Sequence, residues 1–347
     1  MEREKIILDV DTGSDDAIAV ILALLCDKFD VLGICAVGGN LDISLTTDNT
    51  LRVVDFCGFG GRVPVLRGCS LPLVSTLMPW TPQASGIMTA CSKDMPRPIP
   101  RVPGSHPGGK EIHSDHLPLP ETALQPLEKS AAVWLIDTLM AAEDHSITLI
   151  CTAPLTNLGV ALRADPRIVS KIRRIILMGG GDRLANRTPA AEFNVWADPE
   201  AAEIILQSGC DILCVPLDAT HAAAISAEQA RQLRAIGTKE ACFVADTIDH
   251  RIRSRSVFGS GLPGSDRSPV HDALAVCAAA CPEVLTEVVE CNCHVDISGG
   301  YAYGRTIIDH RQKLPAEPAN CRFALNADSD IFLRWMHSVL SARIGRN

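Results

Sequence analysis

The chain has 347 residues, enough for one large α/β domain or two ordinary ones, and 47% of them are apolar, so a sizeable core can be buried. Its formal net charge of −9 and isoelectric point near 5.6 exclude the basic stripe that a nucleic-acid surface needs. They leave a small nucleotide or nucleoside ligand open, and the longest apolar run, the ten residues 17–26, is too short to span a bilayer.

"KIILDV", beginning at Lys5, is short, apolar and rich in branched residues, and predicts a first strand. "DVDTGSDDA" overlaps its end and places Asp9, Asp11, Asp15 and Asp16 within eight positions. Carboxylates this close raise one another's pKa unless a cation or hydrogen-bond donors compensate. Asp9 and Asp11 stand two apart at the strand's carboxyl end, which predicts that both leave one face or edge. Gly13 permits a sharp turn. Ser14 is then the expected N-cap of a helix "SDDAIAVILALLCD", with Asp15 and Asp16 in a first turn whose dipole favours anions. Ligands of open α/β sheets bind at strand carboxyl ends, and four oxygen-rich groups there suit a hard divalent cation, Ca²⁺ or Mg²⁺. An EF-hand loop starting at Asp9 would need Gly and Glu where Ser14 and Val20 stand, so it is excluded. A Mg²⁺-dependent phosphatase of the haloacid dehalogenase type also opens on a strand-borne D-x-D. Its pattern expects Thr or Val where Gly13 stands; it is the alternative enzyme reading.

"DVLGICAV" predicts a second buried strand, and it runs into "AVGGN", where the glycines allow close backbone approach and Asn40 offers both donor and acceptor. "LTTDNTLRVVDFCG" predicts a second helix ended by Gly58. Continuous apolar strands alternating with helices imply a mostly parallel central sheet flanked by helices, an α/β fold. Between Pro72 and Pro126 the alternation breaks, because eleven of the 22 prolines fall there. No helix or buried strand is expected in that 72–126 excursion, which reads as a lid or an insertion on the surface.

Alternation resumes with a helix over 130–143 and the strand "SITLIC". In "CTAPLTN", Pro154 is expected at the first position of the next helix, and the carbonyls before the turn are free to face a cation. The strand "IRRIILMGGG" leads to "AEFNVWADP", expected as a short extended segment on which Glu192 and Asn194, two apart, line a pocket. Asp198 then caps a helix that Pro199 opens. A strand "DILCVPLD" precedes three helices, the first with the capping box Ser226 and Gln229. In the third, "VHDALAVCAAACP", Asp272 is a candidate metal ligand and His271 a candidate general acid or base. "TEVVECNCHVDIS" and "GRTIIDHR" are expected strands, and a final helix runs over 329–343. No repeat or linker interrupts the pattern, so residues 1–347 are expected to form a single domain.

The fourteen cysteines include no C-x-x-C and sit mostly in apolar runs, where a free thiol packs as a small hydrophobe. Cys291, Cys293 and His294 lack a second ligand pair, so no zinc site is expected there. Reduced thiols and the lack of a visible signal peptide predict a cytoplasmic protein.

Five pieces, Asp9–Asp11–Gly13–Asp15–Asp16, "GGN", "TAPLTN", "MGGG…AEFN…DPEAA" and "HDALAV", together resemble the inosine–uridine nucleoside hydrolases in content and order, over roughly residues 5–330. The resemblance implies a Rossmann-like fold that holds Ca²⁺ and splits ribonucleosides into base and ribose. It implies Asp11, Asp16, the Thr152 backbone carbonyl and Asp272 as metal ligands, with Asp11 taking a proton from the attacking water. It also implies that Asp15, Asn40, Asn186, Glu192 and Asn194 hold ribose hydroxyls and that His271 assists the leaving base. Association into dimers or tetramers follows from it too. The alternative that keeps the same residues is a non-catalytic Ca²⁺-dependent nucleoside or ribose binder. The chain departs from the family pattern at Thr12, where proline is frequent. It departs again at "HSDHLPLP" around His113, which lacks the glycines of the family's first lid. A second lid, 249–269, carries Phe258 and several arginines.

Overall fold

A computed structural model of the chain describes residues 3–74, 115–258, 266–311 and 317–342. The centre of the proline-rich excursion, His113 and the middle of the second lid lie outside the described residues.

Strand β1 (Glu4–Val10) leads into helix α1 (Ser14–Leu25), β2 (Phe29–Ala36), α2 (Ile43–Phe56) and the short β3 (Val65–Arg67). After the excursion come α3 (Ala131–Met140), β4 (Ile147–Cys151), α4 (Thr156–Ala164), β5 (Ile172–Met178), α5 (Phe193–Ala197), α6 (Pro199–Leu206) and β6 (Ile212–Val215). Then follow α7 (Leu217–Ala222), β7 (Ile225–Ser226), α8 (Ala227–Arg234), α9 (Lys239–Phe258), β8 (Arg267–Ser268) and α10 (His271–Ala280). The last elements are β9 (Leu285–Cys291), β10 (Cys293–Val295), β11 (Thr306–Ile308), β12 (Cys321–Ala327) and α11 (Ser329–Ser341).

Eight strands form the main sheet in the order β3-β2-β1-β4-β5-β6-β12-β9. All neighbours are parallel except the β12–β9 pair at the edge. The chain therefore winds outward from β1 in one direction and restarts at β4 in the other. That reversal opens a crevice at the carboxyl ends of β1 and β4, the place where open α/β sheets take their ligands. Asp11 follows β1 and Thr152 follows β4, so both stand on its rim.

The sheet is covered on both faces. Apolar residues of α1, α2, α10 and α11 pack with Ile6, Leu8 and Val10 on one side. Those of α3, α4 and α6 pack with Ile7, Leu149 and Cys151 on the other. α1 is apolar nearly all round and buried at every residue but its last, because it lies under the sheet and against α10 and α11.

Several expected elements change in the folded chain. Gly13, not Ser14, is the N-cap of α1, and Ser14 is its first residue. Pro154 precedes α4, which starts at Thr156. "AEFNVW" is not extended: Phe193–Ala197 is a helix, because the Glu192 carboxylate accepts hydrogen bonds from the Asn194 and Val195 N–H groups and nucleates a turn. The strand expected over 286–298 is cut at Asn292 into β9 and β10, which belong to different sheets. β3, α7 and β12 were not anticipated. Phe323 on β12 is fully buried. Phe323→Ala is expected to lower unfolding free energy by about 3–5 kcal/mol, measured as a fall in urea midpoint at unchanged slope.

Candidate active site

Of the four crowded aspartates, Asp9 is set apart. It lies within β1, and one of its oxygens accepts a hydrogen bond from Asn157 Nδ2 at 2.8 Å while the other has no partner among the described residues. Burial pushes its carboxyl up to about 7. Asn157 also donates to the Ala36 carbonyl and accepts from the Cys69 N–H, so this side chain ties β1 to β2 and to the chain after β3. Asp11, expected to leave the same face or edge as Asp9, lies beyond the end of β1 and meets Asn40 rather than Asn157.

Asp11 is fully buried and is held by Asn40 twice, by the backbone N–H at 2.6 Å and the side-chain amide at 3.0 Å. The same amide lies 3.4 Å from Asp16 Oδ2 and so bridges the two carboxylates. Asp16 also accepts from the Gly13 N–H at 3.2 Å and the Thr152 hydroxyl at 2.9 Å. Asp15 pairs with Arg251 at 3.1 Å. Asp272 enters from the first turn of α10. Oxygens of Asp15, Asp16 and Asp272 lie within 4.8 Å of one another, and all three residues are buried. Among the described residues no other group of three His, Cys, Asp or Glu side chains converges in this way, including Cys291, Cys293 and His294.

Burial drives the carboxyls of Asp11 and Asp272 well above the usual range, and the neighbouring aspartates add to it. Asp16 rises to about 6, from burial first and the charge of Asp15 second. Several buried acids that resist ionisation together are what a cation stabilises. The donors are carboxylate and carbonyl oxygens, the hard set that suits Ca²⁺ or Mg²⁺ rather than a thiophilic metal.

The remaining candidates flank this cluster. Thr152's carbonyl accepts from Asn194 Nδ2 at 3.0 Å and, with a second lone pair, can still face a cation. Asn194 also points Nδ2 at the Met178 carbonyl, at 3.1 Å. Both amide protons are thus spent on backbone carbonyls, and toward a ligand Asn194 can only accept. Glu192 is buried, its carboxyl raised by burial to about 7, and it receives the N–H groups of Gly180, Asn194 and Val195. Gly180 meets it with φ +75°, a conformation that favours glycine. Asn186 is exposed, and its side-chain oxygen accepts the Phe193 N–H at 2.9 Å, leaving the amide N–H₂ outward. His271, half-buried, sits at the start of α10 with Nδ1 2.7 Å from the Thr220 hydroxyl and its ring 5.6 Å from that of His221.

Sequence reasoning missed Thr220 and Arg251. Thr220 follows the carboxyl end of β6 by a few residues, and that position alone marks it as a site candidate. Arg251 gives no local signal, since it lies on a helix and reaches Ser14, 237 positions away.

A buried acidic cluster at the switch point of a doubly wound sheet, beside amide and hydroxyl side chains, defines a site for a hard cation and a small polar ligand. The match to known proteins is more specific. The inosine-uridine preferring nucleoside hydrolase family matches residues 6–334, and this chain belongs to it. It is 33% identical to the inosine-uridine preferring nucleoside hydrolase of Leishmania major, over 94% of both chains. It is 34% identical to the pyrimidine-specific ribonucleoside hydrolase RihB of Escherichia coli, over 96% of this chain and 95% of that one. A purine-preferring ribonucleoside hydrolase from Gardnerella vaginalis has the same fold, with a TM-score of 0.80 at 28% identity, over 99% of this chain and all 100% of that one.

Gly39 packs directly on Asp11: a Cβ there would lie 2.1 Å from Oδ2 and 3.0 Å from the Asp11 Cβ. Gly39→Ala is therefore expected to push the carboxylate off Asn40 and to weaken divalent-metal binding by about 10-fold or more, with the far-UV spectrum unchanged. Calorimetric titration of the metal-stripped protein measures it.

Proposed function

We propose that this protein hydrolyses the N-glycosidic bond of ribonucleosides, releasing free base and ribose. The observation that carries the reading is the buried convergence of Asp15, Asp16 and Asp272 beside Asp11, at the carboxyl ends of β1 and β4 in a nucleoside hydrolase chain. Family membership does not favour either the phosphatase or the binder. The reading takes residues 1–347 as one nucleoside-hydrolase-like domain.

Asp11, Asp16, Asp272 and the Thr152 carbonyl would hold the cation, which the reading takes as Ca²⁺. Bound there, it supplies positive charge that acidifies a water and orients the sugar diol. Asp11, fixed from two sides by Asn40, accepts the proton of the attacking water. Asp15, Asn40, Asn186, Glu192 and Asn194 orient the ribose hydroxyls. The acceptor oxygens of Asp15, Asn40, Glu192 and Asn194 favour the positive charge that develops on the sugar as the bond breaks through an oxocarbenium-like transition state. His271 delivers a proton to the departing base. If the Thr220 hydroxyl gives its one proton to the Leu217 carbonyl, 3.2 Å away, it receives Nδ1–H from His271 and aims the other ring nitrogen at the base. Unbridged cysteines, mostly buried, support a cytoplasmic setting, and the family resemblance supports a homodimer or homotetramer.

A panel of ribonucleosides assayed for reducing sugar, with and without chelator, tests the activity. Sugar release that chelation abolishes and Ca²⁺ restores is expected, and Asp11→Ala should lower kcat by about 10³-fold or more. Release of phosphate instead, or Ca²⁺-dependent binding with no turnover, would sink the proposal.

Thr220→Val should lower kcat on natural ribonucleosides by about 10- to 100-fold. It should leave p-nitrophenyl riboside, whose leaving group needs no proton, close to the wild-type rate. Equal losses on both substrates would show that Thr220 does not serve leaving-group protonation.

A further inference from the structure

Arg251 presents a puzzle that the reaction does not use. It projects from α9, is only 5% exposed, and brings a full positive charge into the acidic cluster. Its Nη1 lies 3.1 Å from Asp15 Oδ1 and donates to the Ser14 hydroxyl at 2.7 Å. Its Nε is buried with no hydrogen-bond partner among the described residues. A guanidinium is seldom buried with an N–H unsatisfied. Here the contact with the Asp15 carboxylate holds it.

Asp15 is close enough to Asp16 and Asp272 to be a further carboxylate on the cation. A carboxylate engaged by the metal has fewer lone pairs left for a sugar hydroxyl. We infer that Arg251 is a positioning residue that withholds Asp15 from the metal, keeps that carboxylate for substrate, and sets a ceiling on metal affinity. The inference rests on the nucleoside hydrolase reading above. Its physical basis is competition: Asp15 has one negative charge, and a guanidinium already in contact with it lowers what a cation gains there. The same positive charge repels the cation directly.

The test is calorimetric titration of Ca²⁺ into the metal-stripped full chain, for wild type, Arg251→Lys, Arg251→Met and the double variant Arg251→Met with Asp15→Asn. Arg251→Met should bind Ca²⁺ about 10-fold tighter than wild type, because a repelling charge is gone and Asp15 is released toward the metal. Its KM for ribonucleoside should rise at the same time. Arg251→Lys should stay within about 3-fold of wild type in both quantities, because the charge is kept. The double variant removes one positive and one negative charge together. It leaves the net charge of the cluster as in wild type, so it folds even if Arg251→Met does not, and it should bind Ca²⁺ within about 3-fold of wild type.

Calcium binding in Arg251→Met no tighter than in wild type overturns the inference. So does loss of Ca²⁺ binding in the double variant, which would make Asp15 a ligand. Wild-type protein that takes up no Ca²⁺ would instead defeat the underlying reading, and this inference with it.

Discussion

The structure depends on making a knot of buried carboxylates tolerable. Asp11, Asp15, Asp16 and Asp272 are each at most 5% exposed, and taking one such ion out of water costs several kcal/mol unless it is paired. The fold answers with donors supplied from separate elements: Asn40 after β2, the Gly13 N–H at the start of α1, the Thr152 hydroxyl after β4, and Arg251 from α9. None of these alone balances the charge. Together they hold the acids in place without ending the need for a cation, and a site of that kind is ready-made for one.

The sheet's winding explains why these donors can meet at all. β2, β1, β4 and β5 are neighbours in space though β4 begins more than a hundred residues after β2 ends. Parallel strands bring all their carboxyl ends to one rim, and the segments that follow them contribute the site's side chains to it. The supports are built the same way. Asn157 joins two strands and the chain after β3 through one amide, and Asp198 accepts from Thr156, Leu73 and Ala201, tying α4 to α6. Such side chains resemble active-site residues in being polar and buried, yet their hydrogen bonds end in backbone and in neighbouring helices. Burial of a polar group therefore does not mark function by itself; convergence of several groups on one small volume does.

Much of this was legible in the chain. Continuous apolar strands, helices between them and aspartates at a strand's end were enough to predict a parallel α/β sheet with a metal-seeking rim. The losses have physical causes. β12 was missed because Arg322 and Asn326 dilute its apolar alternation, as a strand beside the antiparallel edge can afford. α5 was missed because its start is set by a side-chain cap, Glu192, that also reaches back to Gly180. Arg251 and Thr220 were missed because their partners, Ser14 and His271, lie 237 and 51 positions away, and no local pattern records such pairings. Local rules describe what a segment prefers; contacts between segments appear only once the sheet order is known.

The relatives separate two kinds of specificity. Proteins named for pyrimidine nucleosides, for purine nucleosides and for inosine and uridine are similar to this chain over nearly its full length. A common base-binding surface would be hard to reconcile with those names, whereas a common grip on the sugar is not. Breaking an N-glycosidic bond develops positive charge on the ribose, which is the same in every substrate, so the acids that serve it can be fixed in the core. On the proposed reading those acids are the ones held here by strand ends and by α1 and α10, elements packed on both sides and costly to alter. The base differs from substrate to substrate and lies at the far end of the same bond. Its recognition is free to vary wherever a change does not disturb the carboxylates. On the proposed reading, shared chemistry and divergent base preference are consequences of one arrangement, in which the invariant half of the substrate would meet the part of the protein least able to change.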